Sequence, residues 1–374
     1  MFPNQSCSNI TVVNVTTKTA ITSFMFVAGV VGNLLALIIL GVHQKERHTK
    51  SSAFCILVTG LAVTDLLGTC LLSPPVFVCY AKELSLIGLI NDHWLCHLFA
   101  FAMTFFGLAP MLILCAMAVE RCLAISHPYL YSKYVRLSFT RLALVFIYLF
   151  TAAFCLLPFM GFGGHRQYCP GTWCFIDMEG EGNRLVLAFS LSYSTLMALL
   201  IVVVFVCNGS VIVSLCRMHR SQRTRRGSVL STGRKRKMSL AWFGQGEEEV
   251  DHLMLLALMT LIFVVCSLPL TIVGFINAVR PFPDDSGNLT AFRFHALNPI
   301  VDPWVFIICR KSVFRHLYQL SNCCFTRGAV KTPTQQRTAL SPLPAAPQHA
   351  HAHAAGNPDP TGQPLNPYAS LPPL

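Results

Sequence analysis

The chain has 374 residues, of which 53% are hydrophobic and only 12% charged, with a formal net charge of +12. Soluble domains carry roughly 25% charged residues, so this composition excludes an apolar core wrapped in a charged shell and makes lipid the solvent of much of the surface. The positive charge alone would suit nucleic acid or an anionic membrane. The basic residues sit beside apolar stretches, so membrane lipid is the expected partner and nucleic acid is not.

Residues 1–21 read as an extracellular, glycosylated segment. They are polar, lack the basic start of a cleavable signal peptide, and lead into an apolar stretch that would act as its own insertion signal. Asn4, Asn9 and Asn14 each open an Asn-x-Ser/Thr acceptor, and glycan addition needs luminal exposure. A helix needs about 20 mostly apolar residues to cross a bilayer. Seven such stretches follow, near 21–43, 53–79, 97–122, 141–164, 185–216, 252–279 and 291–309. The last is the shortest and most polar. Pro269 and Pro303 interrupt the sixth and seventh, which a bundle tolerates because neighbouring helices can satisfy the freed backbone groups.

The expected fold is therefore all-α, a seven-transmembrane helix bundle over residues 22–318 that ends in a short amphipathic eighth helix beginning near Arg310. Short loops rich in Lys and Arg face the cytoplasm. Lys45, Arg47 and Lys50 lie in the first loop, Arg217 through Lys237 in a longer one, and Arg310, Lys311 and Arg315 after the seventh stretch. The opposite loops hold Asp177, Glu179, Asp284 and Asp285. The N-terminus is thus expected outside and the C-terminus inside, in a multi-pass protein of the plasma membrane. Residues 319–374 turn to Pro, Ala, Gln and His and read as a disordered cytoplasmic tail.

Four of the 16 cysteines fall in outward segments: Cys7, Cys96, Cys169 and Cys174. Four allow three pairings, and an oxidising exterior favours bridging. We expect Cys96–Cys174, joining the top of the third helix to the second outer loop, and Cys7–Cys169, with a free Cys7 as the alternative. Cys323 and Cys324 follow the basic amphipathic stretch at the membrane face, a setting for S-palmitoylation or for plain thiols.

Charged side chains inside spans are costly and usually functional. Asp65 and Asp302 lie mid-span in the second and seventh helices, and Arg293 stands nine residues before Asp302. At 1.5 Å per residue that places Arg293 about 13 Å nearer the outer surface. No acid in the outer halves of the other spans offers itself as a partner. The guanidinium then either closes a structural salt bridge or holds a ligand carboxylate by two parallel hydrogen bonds. An apolar, aromatic cavity with residues such as Phe99 and Phe292 fits an acid with a long hydrocarbon body. At the inner end of the third helix Glu120 and Arg121 are adjacent, and a contact from Arg121 to Glu249 would clamp the third and sixth helices into a bistable element, with three solvated charges at a membrane face as the alternative that hydropathy alone favours.

Asn33, Leu61-Ala-Val-Thr-Asp65, Glu120-Arg121-Cys122, Cys266-Ser-Leu-Pro269 and Asp302-Pro-Trp-Val-Phe306 together resemble the rhodopsin-like G-protein-coupled receptors. The string Gln167-Tyr-Cys-Pro-Gly-Thr-Trp-Cys-Phe175 is longer and more specific, and resembles the prostanoid receptors. Met25–Asn33, Phe99–Gly107, Ala116–Ala124 and Asp251–Thr260 resemble the prostacyclin branch of that family, and the likeness covers about residues 22–318. The resemblance implies a prostanoid lipid ligand, prostacyclin, or prostaglandin E2 or D2 on a sibling reading. It also implies the heterotrimeric stimulatory G protein as partner and cyclic AMP as output. It assigns the ligand carboxylate to Arg293 with Tyr80 and Thr172, and the pocket lining to Phe99 and Phe292. Activation is assigned to Glu120, Arg121, Glu249, Asp65, Asp302 and Pro269. Leu268, Asp302 and Phe306 depart from the wider rhodopsin-like pattern in the way prostanoid receptors do. Pro110 stands where relatives hold a small polar residue, and is expected to kink the third helix or disturb the surroundings of Asp65.

A lipid or organic-anion transporter is the rival of another class, but such folds carry internal repeats and none is visible here. An enzyme is not expected, nor any cofactor or metal, because no nucleophile, metal-ligand or paired-acid arrangement shares a face. The bound acid is expected to pack its body against the third, sixth and seventh helices.

Overall fold

The computed structural model describes residues 7–13, 19–47, 52–180, 182–229, 239–279 and 285–308. Asn4, Asn14, Cys323, Cys324, the eighth helix and the tail lie outside the described residues, as does the side chain of Glu249. Ten helices appear among them: α1 Thr19–Arg47, α2 Ala53–Lys82, α3 Leu86–Ile90, α4 Trp94–Ser126, α5 Pro128–Tyr134, α6 Leu137–Leu156, α7 Arg184–Val229, α8 Ser239–Val279, α9 Asp285–His295 and α10 Asn298–Ile308. Six of these (α1, α2, α4, α6, α7 and α8) are long and apolar enough to cross a membrane. Their apolar side chains point outward as well as inward. Phe24 is 73% exposed, Phe146 68% and Phe205 63%, which is tenable when the surrounding solvent is hydrocarbon.

The seventh crossing is two helices, where the sequence led us to expect a single one. The chain leaves helical geometry at Ala296 and Leu297. Pro299 has no N–H, so the carbonyl of His295 loses the donor it would meet one turn later. Pro303 frees the carbonyl of Pro299 in the same way. Here a neighbour compensates: Nδ2 of Asn33 on α1 donates to the Pro299 carbonyl at 2.9 Å. Nε1 of Trp304 donates to the Ala28 carbonyl at 3.2 Å. This approach needs a glycine, since a Cβ on Gly32 would stand 2.8 Å from that same nitrogen. α4 runs through Pro110, and α8 through Pro269, without a break.

Without water to compete, cross-helix polar contacts hold the bundle, each contributing about 0.6 kcal/mol on average. Thr64 meets the Tyr148 hydroxyl at 2.8 Å, Ser126 meets Ser214 at 2.9 Å, and Asn208 donates to Thr260 at 2.7 Å. Asn277 on α8 donates to Asn288 on α9 at 2.8 Å.

The structure adds one feature to the all-helical expectation, a hairpin of β1 His165–Tyr168 and β2 Trp173–Ile176, antiparallel with Gln167 opposite Cys174. Its four-residue turn contains Gly171 at φ +97°, a conformation that a side chain would strain. The loop is pinned from several sides. Both expected disulfides are formed, Cys7–Cys169 and Cys96–Cys174. The Gln167 amide accepts from the Ile87 N–H and donates to the carbonyls of Cys7 and Ile10. The hairpin thus caps one end of the bundle as a fixed plate.

A candidate lipid-acid cavity beneath the hairpin

Under this plate lies a cavity of about 1290 Å³, counting its open mouth. Arg293, Tyr80, Thr172, Phe99 and Phe292 all line it, so the fold brings the five expected ligand residues to one space. They arrive from four elements. Tyr80 is near the end of α2, Phe99 one turn into α4, Thr172 in the hairpin turn, and Phe292 and Arg293 on α9. Thr172 and Phe99 are buried, while Tyr80, Phe292 and Arg293 are half-buried.

No described acid is paired with Arg293. The carboxylates of the hairpin loop are used within that loop. Glu179 pairs with Arg166, and Oδ1 of Asp177 accepts from the N–H groups of Glu179 (3.0 Å) and Gly180 (3.4 Å). The cavity wall is otherwise mostly apolar, with Leu72, Val76, Met103 and Phe106 among its members. A guanidinium in such surroundings is suited to a bidentate carboxylate.

Two features escaped the sequence reading. Trp173 stacks between Tyr168 (centroids 4.8 Å) and Phe292 (4.7 Å), and Phe175 leans on Phe292 at 5.8 Å. This pile of rings ties the hairpin to α9 beside Arg293, each pair contributing about 0.5–1.5 kcal/mol. The adjacency of Trp173 to Thr172 was the signal available. The second concerns the wall. Residues of α1, among them Thr22 and Phe26, and of α2 line the cavity, and none of the described side chains of α8 does. The described wall is thus built by the first, second, third and seventh helices, whereas the ligand was expected to pack against the third, sixth and seventh.

Outside the spans, burial raises the Tyr168 phenol well above its usual range. Its hydroxyl donates to the Ile176 carbonyl and accepts from the Met178 N–H. Burial, and then His97, lowers His165 to about 4. Nδ1 of His165 lies 3.1 Å from Nδ1 of His97 at the start of α4.

At the opposite end, Glu120 is buried and meets Arg121 Nε at 3.3 Å. The Tyr131 hydroxyl on α5 donates to Glu120 Oε1 at 2.9 Å, and the Arg121 guanidinium sits 3.8 Å over the Phe54 ring. Arg121 borders a second, apolar cavity of about 750 Å³, counting its open mouth, that Met259 and Phe263 of α8 also line. Asp302 borders this space too, and Asp65 borders both cavities. Both carboxylates are buried, and neither oxygen of Asp65 has a hydrogen-bond partner among the described residues. Pro269 sits mid-helix in α8. Asn9 is exposed.

Residues 32–306 match the model of the seven-transmembrane receptors of the rhodopsin family. The rat prostacyclin receptor is 56% identical over 333 residues, covering 88% of this chain and 76% of the relative. The human prostacyclin receptor is 54% identical over 340 residues, covering 90% and 84%. The human prostaglandin E2 receptor EP2 subtype is 45% identical over 338 residues, covering 86% and 90%. With matches of this length and identity, the chain belongs to the prostanoid receptors, within the rhodopsin family of seven-transmembrane G-protein-coupled receptors.

Proposed function

We propose that this receptor binds prostacyclin in the cavity beneath the hairpin and signals through the stimulatory G protein to raise cyclic AMP. The observation that carries the reading is Arg293, a cation without a described acidic partner on the wall of a mostly apolar cavity, together with Tyr80 and Thr172. The carboxylate pairs with Arg293, and the hydrocarbon body lies along Phe99, Phe292 and the α1–α2 wall. The hairpin end faces the cell exterior and the Arg121 end the cytoplasm, in keeping with the two disulfides at the hairpin and the Lys/Arg-rich loops at the other end.

A ligand shifts a conformational equilibrium only by its differential affinity for the two states. The cavity reaches α8 indirectly, since Met111 and Asn298 border it and both bond Ser267 of α8. Rearrangement there, relayed past Asp65 and Asp302 to Glu120, Arg121 and Glu249, opens the second cavity to the G protein. Competition among prostacyclin, prostaglandin E2 and prostaglandin D2 on membranes bearing the receptor tests the ligand, and cyclic AMP accumulation tests the coupling. Tightest binding by one of the two prostaglandins would overturn the prostacyclin assignment in favour of a sibling ligand.

A further inference from the structure

His295 is the last residue of α9, two positions past Arg293, and its ring is almost wholly enclosed at 5% exposure. It lines the same cavity as Arg293. One ring edge is committed to α4: a Cβ on Gly107 would meet Nε2 at 3.1 Å and Cδ2 at 3.8 Å, so the absence of a side chain there is what lets the imidazole in. The opposite edge carries Nδ1, which has no hydrogen-bond partner among the described residues. The Tyr193 hydroxyl comes within 3.9 Å of the same Gly107 position, and it too lacks a described partner. Phe175 packs edge-on against Tyr193 at 5.6 Å and so continues the aromatic plate above it.

Buried polar atoms are almost always paired, and each exception asks for an explanation. A structural imidazole would spend both nitrogens on protein groups. Among the described residues this one leaves Nδ1 unpaired, and its ring borders the cavity. A neutral imidazole offers one N–H and one lone pair, and Nδ1 holds one or the other according to tautomer. A hydroxyl pairs with both, because it donates and accepts. An ether or carbonyl oxygen pairs with only one.

We propose that His295 is a second polar subsite of the cavity, which holds a hydroxyl on the body of the lipid acid anchored at Arg293. This rests on the lipid-acid reading above. It makes the receptor selective for hydroxylated acids over equally long, plain ones, with Arg293 reading the carboxylate and His295 a point farther along the chain. His295 is a binding residue here, and no proton transfer is involved.

The test uses the full-length receptor in phospholipid nanodiscs, with a stable carbocyclic prostacyclin analogue and its mono-deoxy derivatives as probes. The wild type should bind the parent about tenfold more tightly than one of the derivatives, the loss expected for one neutral hydrogen bond in a buried site. His295→Phe, which keeps a flat ring without polar atoms, should bring the parent down to the affinity of that derivative and leave the derivative unchanged. His295→Asn, with an amide close to the Nδ1 position, should restore part of the preference. It also serves as the readout if the Phe variant does not reach the surface. Preference retained in His295→Phe, or by His295→Asn matching a wild type that has none, overturns the subsite. Failure of the wild type to bind the parent at all would instead remove the lipid-acid reading itself, so the two failures are distinguishable.

Discussion

Nδ2 of Asn298 donates to Oγ of Ser267 at 3.1 Å, and that hydroxyl in turn faces Sδ of Met111 at 3.5 Å. Asn298 is the first residue of α10, directly after the break in the seventh crossing, and Ser267 lies on α8 two residues before Pro269. One serine thus connects the third and seventh helices, both of which line the cavity beneath the hairpin, to a sixth helix that among the described residues does not. Ser267→Ala removes the link while barely changing volume. A hydrogen bond of this kind in lipid contributes about 0.6 kcal/mol and up to about 1.7. Ligand-independent guanine-nucleotide exchange should therefore rise about threefold or more, with affinity for the lipid acid little changed. Basal exchange equal to wild type would show that the bond does not restrain the sixth helix.

Arg293 makes its prediction through the chemistry of the ligand. A charge-assisted hydrogen bond contributes about 1.5–3 kcal/mol, so the wild type should prefer a free acid over its methyl ester by tenfold to a hundredfold. Arg293→Ala should erase that preference, mainly by weakening the acid. Surface labelling of the epitope-tagged variant separates this from loss of folding. An Ala variant that still discriminates acid from ester would place the anion elsewhere.

The seven crossings were legible because apolar runs of spanning length leave little choice in lipid. Arg293, Asp65 and Asp302 were legible because charge there is too costly to be incidental. The break at Ala296–Leu297 was not. Pro299 shows that a carbonyl is freed, but nothing local says whether a neighbour will satisfy it, and Asn33 does so only for the carbonyl freed by Pro303. The rotation of each helix was also hidden. A helix apolar on every side has no face that names its partners, so the first and second helices could not be distinguished from the sixth as cavity wall. The hairpin depends on Gln167 bonding to residues 7, 10 and 87, contacts that no alternation within a four-residue strand could announce.

Trp173 is the middle ring of the pile that joins the hairpin to α9. Trp173→Ala removes both stacking contacts, each about 0.5–1.5 kcal/mol, and lets water in beside Phe292. Affinity for the lipid acid should fall about tenfold, mostly through faster dissociation, because the plate that covers the bound ligand is loosened. Trp173→Phe should lie between the two. Dissociation of a radiolabelled ligand after dilution gives the rates, and an unchanged off-rate in the Ala variant would mean that the plate does not retain the ligand.

His165 supplies a pH dependence whose direction follows from its surroundings. Burial and the neighbouring His97 lower it to about 4, whereas an imidazole in an unfolded chain titrates near 6.5. As pH falls from about 6.5 towards 4, the unfolded chain takes up a proton that the folded hairpin refuses. Stability from this group is complete above the upper value, declines through the interval, and stops declining once both states are protonated. The loss is on the order of 1–3 kcal/mol. Carboxylates titrate over part of the same range, so the quantity to read is the difference between wild type and His165→Asn, which keeps a hydrogen-bonding group for His97 but cannot take up the proton. Thermal unfolding of the purified receptor from neutral pH down to about pH 4.5 should show a melting temperature that drops more steeply for wild type than for the variant. Parallel curves would mean that His165 is as easily protonated in the folded hairpin as in the open chain.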